Sequence, residues 1–338
     1  MNFIKIMKIS RFLDPASGFA EARRFSEVRV DPLTGHSSRI LDFPVKEIPR
    51  EDLGPLVEAS RAFCPFCPEV VEQVTPKFHP DLLRQERYAQ GEALCVPNAF
   101  PYDENGAVCV MCRQHYLPLK GFTVRILQDA LGCCLSYLRD VVVNQPEMIY
   151  QSVNWNYMPL AGGSLVHPHL QITASSSSTN YYTDMLPALE RYEREHGRGY
   201  WPDLRDEELR AGERFIAASP GITWLAAFAP MGVFDVLGVF HQAHDPADIG
   251  GELLDEVVNG IMRVLEYIDT LNMHSLNMSI YFLLDNERFV PHLRICPRVS
   301  IPPFGTSQIN YMRMLHNETL TTLKPEEVCS DLRAIWKE

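Results

Sequence analysis

Two histidines flank a proline in residues 161–172, which read AGGSLVHPHLQI. If this segment is a strand, His167 and His169 project from the same face, because side chains two residues apart share a face of a strand. Gln171 continues the row. Buried polar side chains cost about 1–3 kcal/mol each when they lack a partner. Three of them in one row therefore predict a site.

A short loop leads into these histidines. Gly162 and Gly163 let the backbone approach a ligand closely, and Ser164 adds a hydroxyl and an amide. A loop lined with backbone amides beside imidazole rings suits a phosphate group. We therefore expect a phosphate-binding site rather than two packed core histidines.

A second candidate is the pair Cys64 and Cys67 in the segment CPFCPE. Two cysteines at this spacing supply half of a tetrahedral metal site or form a redox pair. Cys109 and Cys112 have the same spacing, but their segment reads as a strand, in which positions three apart point to opposite faces. His115 follows that strand, and with either histidine of the first segment it would complete a Cys₂His₂ set.

The elements around these residues occur twice in the same order: strand, strand, helix, strand, strand. The pentapeptide at 168–172, PHLQI, is nearly repeated at 291–295, PHLRI. An internal repeat of this kind predicts two copies of one α+β unit. The first set is predicted at 93–100, 107–112, 122–143, 148–156 and 169–175, and the second at 222–230, 235–240, 253–271, 275–284 and 292–299.

The repeat divides the chain into four parts. Residues 1–60 are predicted to form an N-terminal arm with turns, and residues 61–180 the first unit, with the metal site and the histidines. Residues 181–215, rich in Glu and Arg, are predicted to form a helical connection. Residues 216–338 are predicted to form a second, degenerate unit.

Composition excludes several classes of protein. The chain has 338 residues and a net charge of −12, so a general affinity for nucleic acid is not expected. Nine cysteines are too few for a disulfide scaffold, and no signal peptide or long apolar segment is evident. We expect a reduced cytoplasmic protein with no membrane partner.

These segments resemble galactose-1-phosphate uridylyltransferase and its relatives in the histidine-triad superfamily. The match to the active-site segment of that family consists of Asn156, the Gly-x-Ser loop and the His-Pro-His-x-Gln run. The CPFCPE segment, Asn98 in an Asn-x-Phe sequence and His115 close to Leu-Pro-Leu match further parts of the family pattern. The resemblance implies an α+β fold of two fused histidine-triad-like units, with antiparallel sheets and helices packed on them.

The resemblance also implies roles for the residues. His169 would be the nucleophile that accepts a nucleoside monophosphate from a nucleotide sugar and later passes it to a sugar 1-phosphate. Gln171 and Ser164 would hold phosphoryl oxygens, while Asn98 and Asn156 would contact the nucleotide beside Gly162 and Gly163. One structural Zn²⁺ would be held by Cys64, Cys67, His115 and His167. A homodimer would be expected.

Some positions depart from the family pattern. The second unit has Val290 and Arg294 where relatives carry histidines, so we expect no second active site. Glu326 or Glu327 is expected in place of a glutamine that reads the sugar. Three alternatives remain: inorganic phosphate as acceptor (a nucleotide-sugar or dinucleotide phosphorylase), water as acceptor (a hydrolase), and a zinc-stabilised nucleotide-binding protein without turnover.

Overall fold

The structure is a computed structural model that describes residues 1–43, 48–301 and 305–337. It contains helices and largely antiparallel sheets, so the predicted α+β class is confirmed. None of the helices in these three ranges combines the length and the apolar character needed to cross a membrane.

The described strands and helices are numbered in chain order. The strands are β1 (Ile4–Asp14), β2 (Ala20–Val30), β3 (Ser37–Leu41), β4 (Tyr88–Gln90), β5 (Ala93–Pro97), β6 (Asn105–Val110), β7 (Tyr150–Tyr157), β8 (His169–Ser175), β9 (Phe215–Ala218), β10 (Ile222–Ala226), β11 (Val236–Phe240), β12 (Ser275–Leu283), β13 (His292–Arg298), β14 (Ser300–Ile301), β15 (Thr306–Ser307) and β16 (Thr319–Thr321). The helices are α1 (Gly54–Arg61), α2 (Val71–Val74), α3 (Val124–Asn144), α4 (Asn180–His196), α5 (Tyr200–Ala211), α6 (Gly251–Thr270), α7 (Tyr311–His316) and α8 (Pro325–Lys337).

One ten-stranded sheet carries or borders the candidate residues. Its strand order is β4-β5-β6-β8-β7-β12-β13-β11-β10-β9, and β7 and β12 pair antiparallel at its centre. The two halves of this order mirror each other. From either edge, the sheet begins with three consecutive strands (β4-β5-β6 or β9-β10-β11). The two strands that follow the long helix come next, the later one first (β8-β7 or β13-β12). This arrangement favours the division into units at 61–180 and 216–338, which stays a prediction.

Helices α3 and α6 cover one face of this sheet. Their apolar residues recur at helical spacing, and Thr123 caps α3 by accepting a hydrogen bond from the amide of Ile126. Gly260 brings α6 close to the sheet, because a Cβ atom there would lie 2.0 Å from the ring of Trp224. The main hydrophobic core lies between these helices and the sheet, and it includes the buried thiols Cys95, Cys133 and Cys134.

The opposite face of the sheet is polar near its centre. Strand β7 alternates buried Val153 and Trp155 with half-buried Asn154 and Asn156, and β12 alternates in the same way. Helices α4 and α5 cover one flank of this face, and the CPFCPE segment covers the other. The strip between them contains the polar side chains that the next section describes.

The first 60 residues contain more regular structure than an arm with turns. Strands β1 and β2 pair over eleven residues each and continue through β3 to β16 in a separate four-stranded sheet. The β1–β2 hairpin is largely exposed and carries apolar side chains at the surface, among them Ile9 and Phe25, which face each other across the two strands. Because charged residues lie between its apolar ones, the apolar pattern of the sequence did not predict a hairpin of this length.

Candidate functional site

Four side chains converge at a buried point between the CPFCPE segment and the sheet. The ligand atoms of Cys64, Cys67, His115 and His167 all lie within 4.8 Å of one another. The Sγ of Cys64 is 3.5 Å from Nδ1 of His167, and the Sγ of Cys67 is 3.4 Å from Nδ1 of His115. A sulfur and a nitrogen bound to one tetrahedral Zn²⁺ stand about 3.5 Å apart. The cluster can therefore bind a metal ion, and its donor set fits zinc.

The second ring nitrogen of His115 and that of His167 also have hydrogen-bond partners. Nε2 of His167 lies 2.8 Å from the carbonyl oxygen of Cys112, and Nε2 of His115 lies 2.9 Å from the hydroxyl of Ser60. Metal-binding histidines usually make such bonds, which fix the ring and the tautomer. Burial lowers the pKa of His115 and lowers that of His167 to about 4, so both rings stay in the neutral form that binds metals.

His169 is the first residue of β8, and only 4% of its surface is exposed. Its Nδ1 lies 2.7 Å from the carbonyl oxygen of His167. A carbonyl can only accept, so Nδ1 carries the ring proton and Nε2 keeps its lone pair. Burial lowers the pKa of His169, which favours this neutral form. The ring of Phe66 packs beside it, with 5.4 Å between the ring centroids.

The prediction that His167 and His169 share one strand is wrong for His167. Strand β8 begins at His169, and His167 lies in the bend before it. Pro168 explains the boundary, because proline lacks an N–H to donate to the strand ladder. Because of this bend the two imidazoles lie in different places. His167 belongs to the Cys₂His₂ cluster, and His169 borders the polar strip.

The loop before the histidines is tight and partly strained. Met158 has φ 70° and ψ 159°, a backbone region that glycine adopts easily and other residues adopt at a cost of about 1–3 kcal/mol. Gly162 also has a positive φ of 89°. A Cβ atom on Gly163 would lie 2.6 Å from the carbonyl oxygen of Asn156, so only glycine fits there. Ser164 is exposed at the mouth of the loop.

A chain of side-chain hydrogen bonds crosses four strands from Gln171. Asn156 donates through Nδ2 to Oε1 of Gln171 at 3.4 Å, and Asn277 donates through Nδ2 to Oδ1 of Asn156 at 2.7 Å. Arg298 donates through Nη1 to Oδ1 of Asn277 at 3.2 Å. We call this the amide relay (Gln171, Asn156, Asn277 and Arg298). It joins β8 to β7, β12 and β13.

The direction of the amide relay is fixed at one end. The guanidinium of Arg298 can only donate, and the carbonyl of Ala161, 2.8 Å from Nδ2 of Asn277, can only accept. The side-chain amide of Asn277 therefore has one possible orientation. Because Asn277 donates to Asn156, the amide of Asn156 is oriented as well, and Asn156 in turn orients the amide of Gln171. As a result the Nε2 group of Gln171, which makes no hydrogen bond within the described residues, is free to donate to a ligand.

The other predicted residues lie at the edge of this arrangement. Asn98 follows β5, and its side chain accepts a hydrogen bond from the amide of Phe100 in its own turn. Among the described residues, it makes no hydrogen bond with Asn156 or Gln171. Asn277 and Arg298 were missed, although alternating polar residues in the second predicted set of strands were a signal for the first of them.

The second half of the sheet holds a comparable histidine. His292 begins β13, and its Nδ1 lies 2.8 Å from the carbonyl oxygen of Val290. Its Nε2 is 2.6 Å from the hydroxyl of Tyr181, and the ring packs against Trp201. Glu326, one of the two residues expected to read a sugar, pairs with the buried Arg29.

Comparison with known proteins gives a relative and a fold. The chain is 30% identical over 343 residues to a protein of Archaeoglobus fulgidus that is described as uncharacterized, and the match covers 100% of both chains. No protein-family model matches the chain.

Three solved structures share the architecture at low identity. A galt-like protein from Arabidopsis thaliana matches with a TM-score of 0.67 at 16% identity, covering 90% of this chain and 98% of that one. An ADP-glucose phosphorylase from Arabidopsis thaliana with bound ADP-glucose gives 0.67 at 16%, with 91% and 98% covered. A uridylyltransferase gives 0.66 at 17%, with 92% and 98% covered. The chain therefore belongs to the same family as the Archaeoglobus fulgidus protein, and it has the galactose-1-phosphate uridylyltransferase-like fold.

Proposed function

We propose that this protein is a nucleotidyltransferase that moves a nucleoside monophosphate from a nucleotide sugar to a phosphate-bearing acceptor through His169. The observation that carries the proposal is the pair of fixed groups at the polar strip. His169 keeps the lone pair on Nε2 because Nδ1 is bonded to the carbonyl of His167. Beside it, Gln171 has its Nε2 group free for a phosphoryl oxygen.

The first step needs no general base. The lone pair of Nε2 attacks the α-phosphorus, a P–N bond forms, and the P–O bond to the leaving sugar 1-phosphate breaks with its electron pair. The ring then carries a positive charge, which the carbonyl of His167 stabilises through the proton on Nδ1. In the second step an oxygen of the acceptor attacks the same phosphorus, and the P–N bond breaks.

Gln171 contributes through its orientation. Charge moves onto the phosphoryl oxygens during transfer, and a fixed N–H donor stabilises that charge without reorganising. Asn156 holds the glutamine in place, and the loop with Gly162, Gly163 and Ser164 would supply further donors. Asn98 would contact the nucleotide at the far edge of the site.

The metal cluster would hold a structural Zn²⁺. Four protein ligands complete a tetrahedral site, so no position remains for substrate. The ion would fix His167, whose carbonyl holds His169, and the metal would thereby help to position the nucleophile. This role is structural, and no chemical step passes through the ion.

Covalent labelling tests the proposal. The full chain is mixed with ADP-glucose or UDP-glucose without an acceptor, and intact-mass measurement follows any adduct. We expect one nucleoside monophosphate per chain, about one equivalent of released glucose 1-phosphate, and an acid-labile, alkali-stable bond on the peptide that contains His169. His169→Gly should give no adduct, whereas His79→Gly, which changes an exposed loop histidine, should label normally.

Two results would overturn the proposal. Labelling of another histidine or of a serine would show that His169 is not the nucleophile. Saturable binding of a nucleotide sugar with no adduct and no turnover would instead identify a zinc-stabilised binding protein.

A homodimer remains part of this proposal. The exposed apolar side chains of the β1–β2 hairpin support it, because contiguous exposed apolar side chains mark interaction surfaces. Covering them with a second copy would remove Ile9 and Phe25 from solvent.

A further inference from the structure

A cavity of about 210 Å³ adjoins the amide relay on the polar face of the sheet. Asn277 and Arg298 of the relay line it, together with Ser279, Arg294, Gln308 and Arg313. Because Asn277 is bonded to Asn156, the cavity begins one strand away from the side chains that the proposed function places at the phosphate.

The arginines of this cavity differ in their partners. Arg294 forms an ion pair with the buried Asp235. Arg298 and Arg313 have no carboxylate within 4.0 Å among the residues that the structure describes. Arg298 bonds only to neutral groups, the side chains of Asn277 and Ser307, and Arg313 bonds to the side chain of Asn317.

Arg298 is the more unusual of the two. Its Nε atom is fully buried and has no hydrogen-bond partner. Burial lowers the pKa of Arg298, as expected for a cation that has lost water without gaining a counter-charge. Buried charges are normally paired, because an unpaired one costs several kcal/mol. A cavity lined by two arginines that lack a carboxylate partner, in a chain of net charge −12, is therefore suited to an anion that enters from solution.

We propose that this cavity binds the phosphate group of the acceptor, between Arg298 and Arg313. The assignment of this anion as the acceptor rests on the proposed function, whereas the anion site itself rests on the cavity and its charges. Guanidinium groups bind phosphate through paired N–H donors, and the Nε2 group of Gln308 adds a neutral donor. A water molecule would not need a cationic binding site in order to act as the acceptor, so the acceptor is a phosphate compound.

A second cavity indicates which phosphate compound is preferred. It has a volume of about 490 Å³ and shares Arg294, Arg313 and Thr319 with the first. Asp31, Asp184 and other polar side chains line it, and carboxylates and amides suit sugar hydroxyls. The two cavities together fit a sugar phosphate better than free phosphate.

Calorimetric titration tests the site without turnover. The full chain carrying His169→Gly is titrated with inorganic phosphate and, separately, with glucose 1-phosphate. Arg298→Met and Arg313→Met should each weaken binding about ten- to a hundred-fold, the loss expected for hydrogen bonds to a charged group. Arg298→Lys should retain part of the affinity. Arg263→Met is the matched control, since Arg263 is similarly half-buried but lies on α6 next to Glu266.

The outcomes separate the two proposals. Equal affinity in all variants, or no saturable binding of either compound, would overturn the anion site, even if His169 forms an adduct. Binding that depends on Arg298 and Arg313 without any adduct would keep the anion site and overturn the proposed function. Tighter binding of inorganic phosphate than of glucose 1-phosphate would overturn the preference for a sugar phosphate. If Arg298→Met does not fold, Arg313→Met decides, because its side chain lies outside the amide relay.

Discussion

Reversing the amide relay should slow transfer without changing His169 or Gln171. In Asn277→Asp, the new carboxylate cannot donate to Asn156, so the Asn156 side chain should turn and present its Nδ2 to residue 277. Its oxygen then faces Gln171, which should turn in response. The oxygen of Gln171, rather than its N–H group, would point at the phosphoryl group.

The size of the effect follows from the bond that is lost. A hydrogen bond to a charged group contributes about 1.5–3 kcal/mol, and each 1.36 kcal/mol of barrier is a factor of ten in rate. We therefore expect formation of the nucleotidyl adduct to slow by about 10- to 150-fold in single-turnover experiments. Affinity for the nucleotide sugar should change less, because the charge on the phosphoryl oxygens grows during the step.

Asn154→Asp is the matched control for charge. It puts a carboxylate on the same face of β7, two residues from Asn156, where the hydroxyls of Ser152 and Ser279 can both donate to it. Zinc content and melting temperature are measured for both variants. Equal rates in the two variants would refute the relay, since they would show that only the added charge matters.

Three further predictions concern the metal, the ion network and the hairpin. Purified protein should contain about one zinc per chain by elemental analysis, and Cys64→Ser should lose the metal and melt at a lower temperature; a zinc-free, fully stable wild type would contradict this. Burial alone would raise the pKa of Glu326, but Arg29, a backbone amide and Lys5 together outweigh it and lower the pKa to about 2. The stability that this carboxylate contributes is therefore present above pH 4.5 and lost as the pH falls toward 2. Glu326→Gln should therefore lower the free energy of unfolding by about 2 kcal/mol near pH 7, and denaturant titrations should show that this free energy depends less on pH between 4.5 and 2. An unchanged pH dependence in the variant would show that Glu326 is not the source of the acid sensitivity. Ile9→Lys should convert a dimer to a monomer in sedimentation experiments if the β1–β2 hairpin is the interface, and a dimer that persists would place the interface elsewhere.

Local pattern predicted much of the architecture. The strands predicted at 148–156 and 275–284 match β7 and β12, and the helix predicted at 122–143 matches α3. The quartet of Cys64, Cys67, His115 and His167 was reached through the resemblance, and its members lie together. These features depend on short-range spacing or on a motif, which a sequence displays directly.

The rest depends on contacts between distant residues. Asn156 and Asn277 are 121 positions apart, and only the antiparallel pairing of β7 with β12 brings them together. The orientation of an amide cannot be inferred without its partners. Arg298 is one arginine among many in the sequence, and its lack of a counter-charge becomes visible only when the neighbouring side chains are placed.

The paired histidines of the two halves differ in the surroundings of Nε2. His169 and His292 each begin a strand, and in each the Nδ1 is bonded to the carbonyl two residues earlier. The backbone therefore fixes the same tautomer in both imidazoles, with the proton on Nδ1. In the second half, the hydroxyl of Tyr181 on α4 closes off the other nitrogen. Helix α4 therefore occupies Nε2 of His292 through Tyr181, whereas the function proposed for His169 requires that its Nε2 stays open to a ligand.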